Sequence, residues 1–169
     1  RERQRAIAEA HDLRALLREL GRELPARRAR QQLGCALGQL LGQQPALVAF
    51  NDTQNDLGQH LVLADQGQVG TIYGLAWDYP RGQLYAAAYH KRVAVFGPGG
   101  PGAVYRINLA TGLRELWANL PAGPDFHDLD QGIDDPAAAW VGKSSLGDIE
   151  LAADGRELFV MNLWDRRVY

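Results

Sequence analysis

The spacing of hydrophobic residues divides the chain into two parts. Over positions 1–42 they recur every three or four positions, which is the period of an amphipathic α-helix. Gly21 interrupts the pattern, Pro25 suits the first turn of a second helix, and Gly42 with Pro45 ends it. The apolar positions are Ile7, Ala10, Leu13, Leu16, Leu17, Leu20 and Leu24, then Leu33, Leu37, Leu40 and Leu41. We therefore predict a helical N-terminal segment over residues 1–43.

Beyond Pro45 the hydrophobic period changes to two, and turn residues become frequent. This combination predicts short β-strands joined by tight turns. The predicted strands cover residues 46–50, 60–64, 71–78, 83–92, 103–109 and 113–120. The last four form an antiparallel meander, the unit from which a β-propeller blade is built. Residues 45–169 are therefore predicted to form a separate, mainly β domain.

The second part of the chain contains an internal repeat. One constant offset places the segment 146–151 on 72–77, and 158–160 on 84–86. The turn at 154–156 corresponds to that at 80–82. The pattern predicts about two four-stranded antiparallel blades, with a long connection over residues 121–143 between them.

Several segments resemble the β-propeller regions, akin to NHL and YVTN propellers, of large secreted or surface-anchored bacterial proteins. The resemblance extends from Gln68 to the end of the chain. It implies a partial β-propeller that serves in binding or display, located outside the cell or on its surface. It carries no catalytic residues with it. The segments are residues 70–78, 84–92, 96–105, 141–143 and 158–169.

A propeller typically closes with four to eight blades, and the sequence predicts about two. Open blades would leave a sheet edge and an apolar face uncovered. We therefore expect the remaining blades to come from a longer chain.

Charge is unevenly distributed along the 169 residues, whose net charge is -2. The segment 1–30 holds nine arginines and five acidic residues, so it carries +4 and the remainder carries -6. Because acidic residues lie among the arginines and no aromatic residue accompanies them, a solvated helix face or a contact with a partner helix is favoured over binding to nucleic acid or to a membrane surface. No apolar run is long enough to span a membrane, and the single cysteine, Cys35, cannot form an internal disulfide.

An acidic loop is the strongest candidate for a metal site. Residues 125–135 contain five aspartates, and clustered carboxylates suit calcium. The loop lacks the third ligand and the distal glutamate of an EF-hand. A solvated acidic loop is the alternative. The candidate calcium ligands are Asp128, Asp130, Asp134 and Asp135.

Other chemistry receives weaker support from the sequence. His127 beside Asp128 suggests a transition-metal pair or an acid–base couple, which His90 could join in space. The glycine-rich loop 97–102 precedes a strand, so a hairpin connection is favoured over a phosphate-binding loop.

Lys143 and Ser144 could suggest a serine nucleophile with a lysine base, but the strand–turn–helix pattern that presents such a serine is missing. The four tryptophans are interpreted as packing residues, with a carbohydrate platform as the alternative.

These patterns predict a non-catalytic binding or display module whose ligand is a protein or a carbohydrate. The alternative is a calcium-dependent propeller hydrolase or lactonase. No cofactor other than calcium is expected.

Overall fold

A computed structural model describes residues 42–50, 60–129 and 134–169. The predicted helical segment over residues 1–43 therefore lies almost entirely outside the described residues. The remainder is mainly β, as predicted. Its strands are β1 (Pro45–Phe50), β2 (His60–Asp65), β3 (Ile72–Asp78), β4 (Gln83–Ala88), β5 (Ala103–Asn108), β6 (Arg114–Asn119), β7 (Leu146–Leu151), β8 (Leu158–Asn162) and β9 (Arg167–Val168), and its helices are α1 (Gln66–Val69) and α2 (Asp135–Ala138). None of these helices is long and apolar enough to cross a membrane.

The strands form three antiparallel sheets. β1 pairs with β2, β3 to β6 form a four-stranded meander, and β7 to β9 form a three-stranded sheet. Local sequence explains the turns: between β5 and β6, the Asn108 side chain accepts hydrogen bonds from the backbone of Ala110 and Thr111, and Gly112 takes a positive φ of 70°. Such turns place consecutive strands side by side.

The pairing in the second sheet repeats that in the first at the offset found in the sequence. Both first hairpins contain a register shift at the same place, between Ile72 and Leu75 in one and between Leu146 and Ile149 in the other. The amide that follows β4, from Tyr89, donates to the Thr71 carbonyl oxygen at 2.9 Å. The equivalent bond joins Leu163 to Ser145 at 3.0 Å. The internal repeat is therefore also a repeat of the backbone pairing.

Two hydrophobic cores lie on opposite faces of the four-stranded sheet. One core packs this sheet against the β1–β2 hairpin through residues such as Leu47, Tyr105 and Ile107. The other packs it against the three-stranded sheet and includes Val104 and Ile149. Alternation along the strands explains this arrangement, because successive side chains point to opposite faces.

Several sequence expectations need correction at this level. The four-stranded meander is present, whereas the second sheet has three strands among the described residues rather than four. β4 ends at Ala88 and not at Arg92. Tyr89 keeps its hydrogen bond to Thr71, but on its other edge it forms a bridge with Ser145, at the start of the second sheet, instead of pairing with β5. The described sheets close no propeller ring.

Candidate functional site

A buried histidine pair lies where the two larger sheets meet. His90 is two residues beyond the end of β4, and Ser144 is two residues before β7 begins. Both side chains are fully buried, and the His90 Nδ1 and Ser144 Oγ atoms are 2.6 Å apart. The Ser144 hydroxyl donates to the Trp140 carbonyl oxygen at 3.4 Å, which leaves Oγ to accept from the His90 Nδ1–H. This network assigns the Nδ1–H tautomer to His90.

The second histidine is oriented by a buried carboxylate. His127 Nδ1 lies 2.7 Å from Asp134 Oδ2. The same carboxylate accepts from the backbone N–H groups of Val93, at 2.7 Å, and Asp128, at 2.9 Å. Asp134 has a positive φ of 50°, which aspartate tolerates better than most residues. Three donors thus hold one buried carboxylate, which fixes the position of the His127 ring.

The site shifts the pKa of two of its groups. Burial lowers the pKa of His90, and the neighbouring His127 acts in the same direction, against the carboxylates of Asp125 and Asp134. For Asp134, burial by itself raises the pKa. The two backbone N–H groups and His127 outweigh that effect, so the pKa of Asp134 lies below its usual value. Asp134 therefore remains an ionised partner for His127 at neutral pH.

The two imidazole rings lie together, and each has one nitrogen without a partner. The ring centroids of His90 and His127 are 4.7 Å apart. Both Nε2 atoms are buried and lack a hydrogen-bond partner. A buried polar atom left in this way costs about 1–3 kcal/mol. No feature of the local sequence explains why the fold leaves two such nitrogen atoms unpaired side by side.

Aromatic rings connect the histidine pair to the surface. Phe126 is stacked 6.0 Å from His90, and its other neighbour, Trp140, is parallel to it at 4.2 Å. Trp164 then lies 5.7 Å from Trp140 with its plane tilted by 47°. Gly123 approaches Trp164 so closely that an added Cβ would lie 2.7 Å from the indole ring. Packing therefore fixes both tryptophans.

An open pocket of about 460 Å³ lies beside these tryptophans. Trp140 and Trp164 supply aromatic walls, and Lys143 and Arg166 supply positive charge. Pockets of this size hold small ligands. The lining is completed by Gly142, Met161, Asn162 and Leu163.

The structure gives different partners to the aspartates that were predicted to bind calcium. Asp134 faces His127, as described above, whereas Asp135 forms an ion pair with Arg92 at 2.7 Å. Asp128 contributes its backbone N–H to Asp134, and Asp130 lies outside the described residues. In the part of the chain that the structure describes, no three His, Cys, Asp or Glu side chains gather as a metal-binding group. Calcium binding by the loop stays a prediction.

Sequence reasoning considered His90 as a spatial neighbour of His127, and the structure brings them together. It did not identify Asp134 as the partner of His127, since the adjacent Asp128 offered a simpler pairing. It also did not identify Ser144 as the partner of His90. Ser144 and His90 are 54 residues apart, so no local pattern could have linked them.

Comparison with known proteins gives four related sequences, all colossins. Colossin-A of Dictyostelium discoideum is 37% identical over 95 residues, which is 54% of this chain and 1% of colossin-A. This chain is similar to colossins. Colossin-C of the same organism is 28% identical over 107 residues, and colossin-D is 26% identical over 126 residues. The chain spans 11% of colossin-C and 13% of colossin-D.

No family model matches the chain, and no solved structure matches it. The resemblance to bacterial propeller proteins is therefore wrong, because the relatives are Dictyostelium colossins. It was based on strand and turn motifs, and similar turn chemistry occurs in many antiparallel sheets. The location outside the cell depended on that resemblance and stays a prediction.

Proposed function

We propose that this part of the protein is a non-catalytic binding module for an acidic carbohydrate. The observation that carries the proposal is the pocket between Trp140 and Trp164. Indole faces pack against the C–H faces of sugar rings, and the ammonium of Lys143 and the guanidinium of Arg166 attract a carboxylate or sulfate group. A protein ligand is the other expectation from the sequence, and the pocket's small volume favours the carbohydrate.

Rigidity of the pocket supports a role in binding. Phe126 stacks on one wall, and the backbone at Gly123 lies against the other. A pocket fixed before the ligand arrives loses less entropy when it binds. The buried acid–base groups behind it, His90 and Ser144, have no access to a substrate in this arrangement, which favours binding over hydrolysis.

The decisive experiment is a titration of the protein with an oligosaccharide that contains glucuronic acid, followed by tryptophan fluorescence and by calorimetry. We expect saturable binding that Trp164→Ala weakens by at least about tenfold, because a buried aromatic contact of about 1.4 kcal/mol corresponds to that factor. Trp117→Ala is the matched control, because Trp117 is as exposed as Trp164 but packs on Tyr85 in β4.

Lys143→Ala tests the charge preference. This variant should lose affinity for the acidic sugar and keep its weaker affinity for the neutral counterpart. Equal binding of both sugars by the wild type, or equal loss in the two tryptophan variants, would contradict the proposal.

We further propose that the two larger sheets are consecutive blades of a propeller-like array. Support comes from the repeated pairing pattern and from the contact between their first strands, β3 and β7. In a propeller, neighbouring blades are arranged around one central axis. An experimental structure in which the two sheets do not lie side by side around such an axis would contradict this arrangement.

A further inference from the structure

The histidine pair has the arrangement of ligands around a metal ion. In metal sites, a ligating imidazole usually donates its other ring N–H to a neighbouring oxygen, which fixes the tautomer and aims the free nitrogen at the metal. His127 does this through Asp134, and His90 does it through Ser144. Both Nε2 atoms are left with lone pairs directed away from these partners.

The burial of both imidazole rings supports a bound cation. The His90 side chain is fully buried, and the His127 side chain is 4% exposed. The rings of Phe96 and Phe126 lie beside them, with the Phe96 centroid 5.2 Å from each imidazole. In such apolar surroundings the two lone pairs need a cation or a hydrogen-bond donor.

The spacing fits a single ion. Zinc binds imidazole nitrogen at about 2.0–2.1 Å with tetrahedral geometry, so two Nε2 atoms that share one ion lie about 3.3 Å apart. Rings whose centroids are separated by 4.7 Å can bring their Nε2 atoms within that distance. Imidazole favours zinc, copper and nickel over calcium or magnesium.

We propose that Nε2 of His90 and Nε2 of His127 bind a divalent transition-metal ion of the zinc class. The described residues supply no third His, Cys, Asp or Glu ligand, so the two imidazoles leave coordination positions of the ion open. Asp134 is a positioning residue, which holds the His127 ring without touching the ion. The site is separate from the calcium loop of the sequence prediction, and it does not depend on carbohydrate binding.

The test is calorimetric titration of the untagged, chelator-treated protein with Zn²⁺, paired with a cobalt titration followed in the visible spectrum. We expect one saturable site per chain and an increase in the melting temperature that excess chelator reverses. His90→Gln and His127→Gln should each abolish saturable binding and the cobalt absorption.

Two further variants separate ligation from folding. Asp134→Asn should weaken binding by about 10–100-fold while retaining the cobalt absorption at saturating metal. His60→Gln is the matched control, because His60 is an exposed histidine on β2, away from the pair. It should bind like the wild type.

Circular dichroism shows which variants fold. If His90→Gln does not fold, His127→Gln decides the question, because His127 lies in the long connection between the two sheets, whereas His90 lies within the four-stranded sheet, between β4 and β5. Absence of saturable binding in the wild type would overturn the proposal. Binding retained in a folded His127→Gln variant, or lost in His60→Gln, would overturn it as well.

Discussion

At the scale of single residues, the buried hydroxyl group of Tyr105 connects the core to a loop. Tyr105 is almost completely buried in the core that joins the four-stranded sheet to the β1–β2 hairpin. Its phenol oxygen accepts a hydrogen bond from the Gly99 backbone N–H at 2.9 Å. A residue of the core thereby holds the glycine-rich loop 97–102, which sequence analysis interpreted as a hairpin connection.

Burial raises the pKa of Tyr105, and the Gly99 hydrogen bond opposes this effect without cancelling it. The folded state therefore prefers the neutral phenol. Its contribution to stability is fully present below the unfolded pKa of about 10 and is lost as the pH rises through the higher folded value. We predict that the free energy of unfolding falls more steeply above pH 10 in the wild type than in Tyr105→Phe. Urea denaturation at a series of pH values measures the difference.

Near pH 8, Tyr105→Phe should cost about 0.5–1.5 kcal/mol through the lost hydrogen bond. Tyr79→Phe is the control, because Tyr79 is exposed in the turn after β3. Parallel pH profiles for the wild type and Tyr105→Phe would show that the phenol does not ionise with unfolding.

At the scale of elements, glycines determine how closely the two sheets approach. A Cβ added to Gly74 in β3 would lie 2.7 Å from the Gly147 carbonyl oxygen and 2.7 Å from the Ile149 nitrogen. These atoms belong to the backbone of β7 and cannot move alone. At Gly147, the nearest atoms are side-chain carbons of Leu163 and Met161, 3.2 Å or more away.

We predict that Gly74→Ala destabilises the protein by at least about 1–3 kcal/mol, since it overpacks backbone against backbone. Gly147→Ala should cost less, because flexible side chains can rotate away. Thermal or urea unfolding of the two variants provides the comparison. An equal loss in both would mean that the β3–β7 contact is looser than described.

The strands were predictable because their causes are local. Alternating hydrophobic residues and turn residues define β3 to β6 closely at every end except the end of β4. That end depends on the bridge between Tyr89 and Ser145, which lie far apart in sequence. β9 has two residues and follows directly on a turn, so it is too short to show a period. The histidine site depends on two connections, from β4 to β5 and from β6 to β7, which meet only after the sheets pack.

At the scale of the whole molecule, the described sheets are joined through shared cores. Val104 from the four-stranded sheet and Ile149 and Val160 from the three-stranded sheet belong to one buried cluster. Neither sheet can lose this contact without exposing apolar surface, so the two should unfold together. The β1–β2 hairpin is attached through the opposite face.

Ile149→Ala tests this coupling, because the side chain is only 1% exposed. We predict a loss of about 2–5 kcal/mol, from the lost burial and the cavity left behind. Amide hydrogen exchange should then show reduced protection in β3 to β5 as well as in β7 and β8, because one opening reaction exposes both sheets. Phe159→Ala, which removes a half-exposed ring from β8, should leave protection in β3 to β5 nearly unchanged. Loss of protection confined to β7 and β8 in Ile149→Ala would instead identify two independently folding sheets.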